Sequence, residues 1–193
     1  MRPDEAVGRR VFCIGLNKTA TTSFHEAMRL LGFHSLHWGG PPIRKLVEAA
    51  LEEGRPLLDD LDPSIEAFSD IEALSLNFDL LDRQYPGSRF VMTTRDEDDW
   101  IRSRVRHVER NIRRRAEGEY HGNFLEVDEP AWRALWRSHH ERVERYFGGR
   151  DDLLVVDLTA NPEWDALCRF LGVSVPAQPF PWINRGSTAE APS

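Results

Sequence analysis

Short apolar runs alternate with longer amphipathic stretches along this chain. Residues 10–16 (RVFCIGL) are a compact apolar run containing Val, Phe and Ile and closed by Gly15, which predicts a buried strand. The period then becomes helical over 20–32: Phe24, Met28 and Leu31 share one face, and Gly32 stops it. Residues 34–38 predict a short second strand. Pro41 and Pro42 then precede a helix over 43–53, ended by Gly54. Leu74, Phe78, Leu81 and Tyr85 are spaced for one face of a helix over 73–85, broken by Pro86 and Gly87. Residues 89–94 (RFVMTT) predict the next strand, and helices follow over 97–116 and 130–147. The last strand is predicted at 153–158 (LLVVDL) and the last helix at 162–171. The Pro-rich tail from Pro176 is expected to be loop.

Strands that alternate with helices predict an α/β fold: three α/β/α layers around a mainly parallel sheet. With 193 residues the chain fits a single domain, with a core over about 10–185. Ligands of such sheets bind at the carboxyl ends of the strands. Three segments are therefore expected to meet: the loop after Leu16, the loop around Asp70, and Thr94-Arg95-Asp96.

Composition narrows the picture. The chain is 40% hydrophobic and 30% charged, as expected of a globular protein in water. Its apolar runs are too short to span a bilayer, and residues 1–10 lack the apolar stretch of a secretory signal. Cys13 and Cys168 lie far apart in apolar contexts, so buried reduced thiols and a cytoplasmic location are expected. A net charge of -7 argues against nucleic acid as a partner. Charge is unevenly spread, with seven arginines in 102–115. They read either as a solvated helix face or as a basic wall facing an anionic ligand. Of the 25 basic residues only Lys18 and Lys45 are lysines. A lysine in the first glycine loop therefore stands out, since an ammonium fits a tight loop where a guanidinium fork does not.

That loop is Gly15-Leu16-Asn17-Lys18-Thr19-Ala20-Thr21-Thr22-Ser23. It follows a predicted strand and opens a predicted helix, the setting in which backbone N–H groups and the helix dipole hold an anion. Four hydroxyls and one lysine exceed what an N-cap needs. The spacing is not that of a nucleoside triphosphatase loop: Lys18 comes three positions after Gly15, with no glycine directly before it. The run Asp96-Glu97-Asp98-Asp99 answers a helix dipole more plainly than it builds a metal site, and no metal is expected.

Two of these segments resemble the sulfotransferase family. Lys18-Thr19-Ala20-Thr21-Thr22 is similar to the family's 5′-phosphosulfate loop, Lys-Thr-Gly-Thr-Thr, with Ala20 in place of the glycine. The stretch Tyr85-Pro86-Gly87-Ser88-Arg89-Phe90-Val91-Met92-Thr93-Thr94-Arg95-Asp96 resembles the 3′-phosphate strand, with Ser103 eight residues beyond Arg95 and Trp100 between them. Phe68-Ser69-Asp70-Ile71, Phe170-Leu171-Gly172-Val173 and Pro179-Phe180-Pro181 extend the resemblance over most of the chain. The Arg-Lys-Gly tail motif of some relatives is absent, Asn184-Arg185-Gly186 being the nearest match.

The resemblance implies a P-loop nucleotide-hydrolase-like sulfotransferase fold. The implied donor is 3′-phosphoadenosine 5′-phosphosulfate (PAPS), leaving 3′,5′-ADP, and the acceptor is a small molecule with a hydroxyl or amine. Asn17, Lys18, Thr19, Ala20, Thr21, Thr22 and Ser23 would hold the 5′ side, Arg95 and Ser103 the 3′-phosphate, and Lys18 would neutralise the leaving oxygen. Asp70 is the first candidate base, with His37 and His34 as alternatives, and Asp70 also reads as a helix cap. His139 and His140 are adjacent on a helix and point apart. Trp38, Phe68, Phe78, Trp132 and Trp136 read either as an apolar acceptor pocket or as core. The rival functions are a P-loop kinase using ATP, a nucleotide-binding module without turnover, and a partner-binding protein acting through its arginine-rich helix. The sequence leaves the oligomeric state open.

Overall fold

The computed structural model describes residues 10–183, and Asn184-Arg185-Gly186 lie outside them. Contacts divide the chain into two compact units: one runs to Thr94 and resumes at Gly149, and the other is Arg95–Gly148.

The first unit holds five parallel strands: β1 (Val11–Cys13), β2 (Ser35–His37), β3 (Ala67–Ser69), β4 (Arg89–Thr93) and β5 (Leu153–Val156), in the order β2-β3-β1-β4-β5. The side-chain period of two divides β1 between two cores. Val11 and Cys13 pack with Phe24, Ala27 and Met28 of α1 (Thr21–Leu30) and with Leu167 and Cys168 of the last helix, Asp165–Leu171. Phe12 points the other way. It pairs in register with Phe68 and Phe90, and its ring stacks on theirs at 5.4 and 5.5 Å. Tyr85, which ends the helix Phe78–Gln84, closes this second face at 6.0 Å from Phe12. Helices therefore cover both faces of the sheet.

Most predicted elements form, with informative differences. The short strand β3 was not predicted; only its end, Phe68-Ser69, had been noted. The helix expected over 73–85 is two pieces, α3 (Glu72–Leu76) and α4 (Phe78–Gln84). Asn77 divides them: its backbone leaves the helical region, and its side-chain amide donates to the Ala73 carbonyl at 2.8 Å. The apolar face survives, with Leu74, Phe78 and Leu81 buried. Helix α2 (Gly40–Glu52) begins before its two prolines, which occupy the first turn, where their missing N–H groups cost nothing.

The second unit is a helical hairpin of α5 (Glu97–Ala116) and α6 (Glu129–Phe147). Trp100 meets Trp136 with ring centroids 4.8 Å apart, and Glu97 bridges Arg133 and Arg137. Asp96 caps α5 by accepting from the Asp99 N–H at 3.0 Å, and Glu97, Asp98 and Asp99 fill the first turn. The acidic run therefore serves the helix start. The arginines of α5 divide: Arg102 pairs with Asp99 and Arg114 with Glu119 on the outside. Arg104 is buried among Trp100, Phe124 and Trp132, its guanidinium carbon 4.6–4.9 Å from each ring centroid.

The remaining helix of the first unit, α7 (Asp165–Leu171), ends at Gly172. Among the described residues no helix is long and apolar enough to cross a membrane. Both cysteines are free and buried, and burial pushes the Cys13 thiol up to about 11.

Candidate functional site

The strand order makes β1 and β4 neighbours whose outgoing connections run in opposite directions across the sheet. The crevice for a ligand opens at the carboxyl end of such a pair. The loop after β1 passes so close to β4 that a Cβ at Gly15 would lie 2.1 Å from Thr93 Oγ1. Only glycine fits there, and its presence lets residues 16–20 curl over the strand end.

The loop hydroxyls have different tasks. Thr19 is fully buried and points down, donating to the Leu16 carbonyl at 2.6 Å and lying 2.7 Å from Thr93 Oγ1. Ser23 is also fully buried, and its hydroxyl accepts from the Ile183 N–H at 3.0 Å and reaches the Ile183 carbonyl at 3.4 Å. These two hydroxyls hold the loop in shape. Thr21 donates to Asp70 Oδ1 at 3.2 Å, and Thr22 Oγ1 lies 3.3 Å from His37 Nε2. The loop after β1 is thereby joined to the ends of β2 and β3.

Lys18 and Ala20 both adopt left-handed backbone, with φ 68° and 67°. Ala20 is the N-cap of α1 and has no side chain that accepts at the helix start. Glycine takes this conformation freely, so the departure from glycine costs strain of about 1–2 kcal/mol while leaving the path of the loop unchanged. Lys18 and Asn17 are half-buried beside it.

His37 and Asp70 end adjacent strands and sit 3.9 Å apart, Nε2 to Oδ2. Ser69, in register with His37, places its hydroxyl 3.0 Å from Nδ1, and the His25 ring stacks on His37 at 5.3 Å. Burial and then the Lys18 charge push His37 below its ordinary value, so it is neutral at pH 7. Burial raises Asp70 to about 6, against the pull of Lys18 and the Thr21 hydrogen bond. The two groups share the charge of Lys18, which lowers both, while burial moves them in opposite directions, His37 down and Asp70 up. Asp70 does not cap the following helix: Ile71 holds the cap position, and no side chain bonds there. His34, at the other end of β2, is exposed and bonded to the Ser64 hydroxyl.

Arg95 belongs to the second unit, directly before the Asp96 cap, and Ser103 lies in the second turn of α5. Both are half-buried. Among the described residues no group of three or more His, Cys, Asp or Glu could hold a metal ion. His139 is buried inside the hairpin, while His140 Nδ1 lies 2.8 Å from the Trp136 carbonyl. His25 was missed from sequence, and Ser69 and Thr93 were quoted within motifs without a role. Each contributes through a partner distant in the chain.

Fold and site together define an α/β protein whose parallel sheet presents a lysine-bearing loop beside an acid–imidazole pair. A family model described as a sulfotransferase domain matches residues 10–120 and 105–189, and the chain belongs to that family. No curated protein matches it.

Proposed function

We propose that the protein transfers a sulfuryl group from PAPS to the hydroxyl or amine of a small acceptor, working as a single sulfotransferase domain. The observation that carries this reading is the meeting of Thr21, Thr22, His37 and Asp70 past the carboxyl ends of β1, β2 and β3, under the charge of Lys18, in a chain of the sulfotransferase family. In the transfer the acceptor oxygen bonds to sulfur, the sulfur–oxygen bond to the 5′-phosphate breaks, and one proton leaves the acceptor. Sulfuryl transfer, like phosphoryl transfer, asks the protein for positioning and charge stabilisation rather than covalent chemistry.

Lys18 neutralises the charge that builds on the bridging oxygen. The N–H groups at the start of α1 face the 5′-phosphate, and Thr21 and Thr22 orient the loop toward it. Arg95 and Ser103 hold the 3′-phosphate, the group that separates this donor from AMP-type nucleotides. Asp70, raised to about 6, is the first candidate to take the acceptor proton, and neutral His37 stands beside it as the second. Two free, buried thiols accord with a cytoplasmic location.

The test is calorimetric titration with 3′,5′-ADP in EDTA, with AMP and ATP as controls. Micromolar binding of 3′,5′-ADP alone, lost in Arg95→Ala, is the expected result. Binding of ATP only once Mg²⁺ is restored would replace the proposal with a kinase.

A further inference from the structure

Among the described residues four non-glycine positions adopt left-handed backbone: Lys18, Ala20, Trp38 and Asp70. All four lie in the connections that leave the carboxyl ends of β1, β2 and β3, Trp38 and Asp70 directly after their strands. Backbone strain of this kind persists only where the surroundings enforce it, and it gathers at working sites. Lys18 and Asp70 are already placed in the chemistry and Ala20 in the donor loop, but Trp38 has no role yet.

Trp38 is the least expected of the four. A bulky aromatic at φ 57° is an outlier, whereas aspartate visits this region more readily. Its position is nevertheless fixed. The Trp38 N–H donates to the Ser69 carbonyl at 2.9 Å, which sets it one residue beyond the His37–Ser69 pair. Gly39 then continues the left-handed turn so close to Ile43 that an added Cβ would lie 2.3 Å from its Cγ1. The backbone is held by these contacts, yet Trp38 is 57% exposed. By contrast, Phe68, Phe78, Trp132 and Trp136 are all buried and are accounted for as core.

We propose that the Trp38 indole is the acceptor platform: it takes the flat apolar face of a ring-bearing hydroxyl compound, a phenol or a pyranose, and sets its hydroxyl beside His37 and Asp70. The proposal rests on the sulfotransferase reading for its chemistry but not for its binding. An indole offers a broad face with little conformational freedom to lose, and rings stack on it by dispersion and by their quadrupoles. A linear alcohol has no such face to offer. Trp38 therefore selects acceptors by shape, next to the groups that handle the proton.

The test measures binding of 4-nitrophenol, methyl β-glucopyranoside and 1-hexanol by ligand-observed NMR, to the full chain with and without 3′,5′-ADP. The variants are Trp38→Phe and Trp38→Gly. Wild type is expected to bind at least one ring probe more tightly than hexanol. Trp38→Gly should weaken that probe five-fold or more while its melting temperature holds or rises, because glycine relieves the left-handed strain. Trp38→Phe should retain part of the affinity. The two ring probes separate an aromatic acceptor from a sugar. Equal binding of all three probes, no ring binding by wild type, or unchanged ring binding in Trp38→Gly would overturn the proposal. Failure of 3′,5′-ADP to bind would instead strike the donor reading, leaving Trp38-dependent ring binding to stand or fall by itself.

Discussion

Replacing Asp70 with asparagine should make the protein more stable and less active at the same time. The folded protein holds the Asp70 proton more tightly than the unfolded chain does, because burial raises the carboxyl from 3.8 to about 6. Stability from this group is therefore greatest below about pH 4 and falls as the pH rises through about 6. At 1.36 kcal/mol per pH unit the full difference is about 3 kcal/mol. The side chain is 23% exposed, and solvent screening reduces the expected figure to about 1–2 kcal/mol. Asparagine removes the charge, keeps an oxygen to accept from Thr21, and suits the φ of 59° at this position. Asp70→Asn should thus melt several degrees above wild type at pH 8, at about 2–4 °C per kcal/mol for a chain of this size. By pH 4, where the wild-type carboxyl is already neutral, most of the gap should close. Turnover at pH 8 should fall by about 10²–10⁴, the usual worth of a positioned base. Melting curves at the two pH values and a discontinuous transfer assay read both effects. A variant less stable than wild type at pH 8, or one whose advantage is the same at pH 4, would refute the burial argument.

Other substitutions probe the loop. Lys18→Ala should abolish transfer, at least about 10²-fold, and leave the circular dichroism spectrum unchanged. Ala20→Gly should stabilise the protein by about 0.5–1 kcal/mol in urea titration. Relief of left-handed strain outweighs the extra freedom of the unfolded glycine. Thr19→Val keeps the shape but strips a fully buried hydroxyl from Leu16 and Thr93, and should cost about 1–3 kcal/mol in the same titration.

The parallel sheet was legible because strong apolar runs such as 89–94 and 153–158 alternate with helical periods. Strand β3 was not. It is three residues long, and its fitness as a strand comes from neighbours on both sides, Phe68 stacking on Phe12, rather than from its own sequence. The split at Asn77 was hidden for a similar reason. The apolar face continues across it, and only the side-chain bond to Ala73 reveals the break. In the site, the residue types of the lysine loop were readable, but the direction of each hydroxyl was not. Thr19 and Thr21 are two positions apart, yet one points at β4 and the other at Asp70, because their partners lie 74 and 49 residues away. Long-range contacts of that kind leave no periodic trace.

The bond between Ser23 and Ile183 has a consequence for how the protein is made. It joins the first turn of α1 to a residue 160 positions later. A ribosome adding about 5–20 residues per second delivers Ile183 about 8–32 s after Ser23. Through that interval the loop after β1 lacks this tether, so the nascent chain carries a helix start that is already translated but not yet locked. The final shape of this loop should arrive late, once residue 183 is in place, rather than growing as each strand is added.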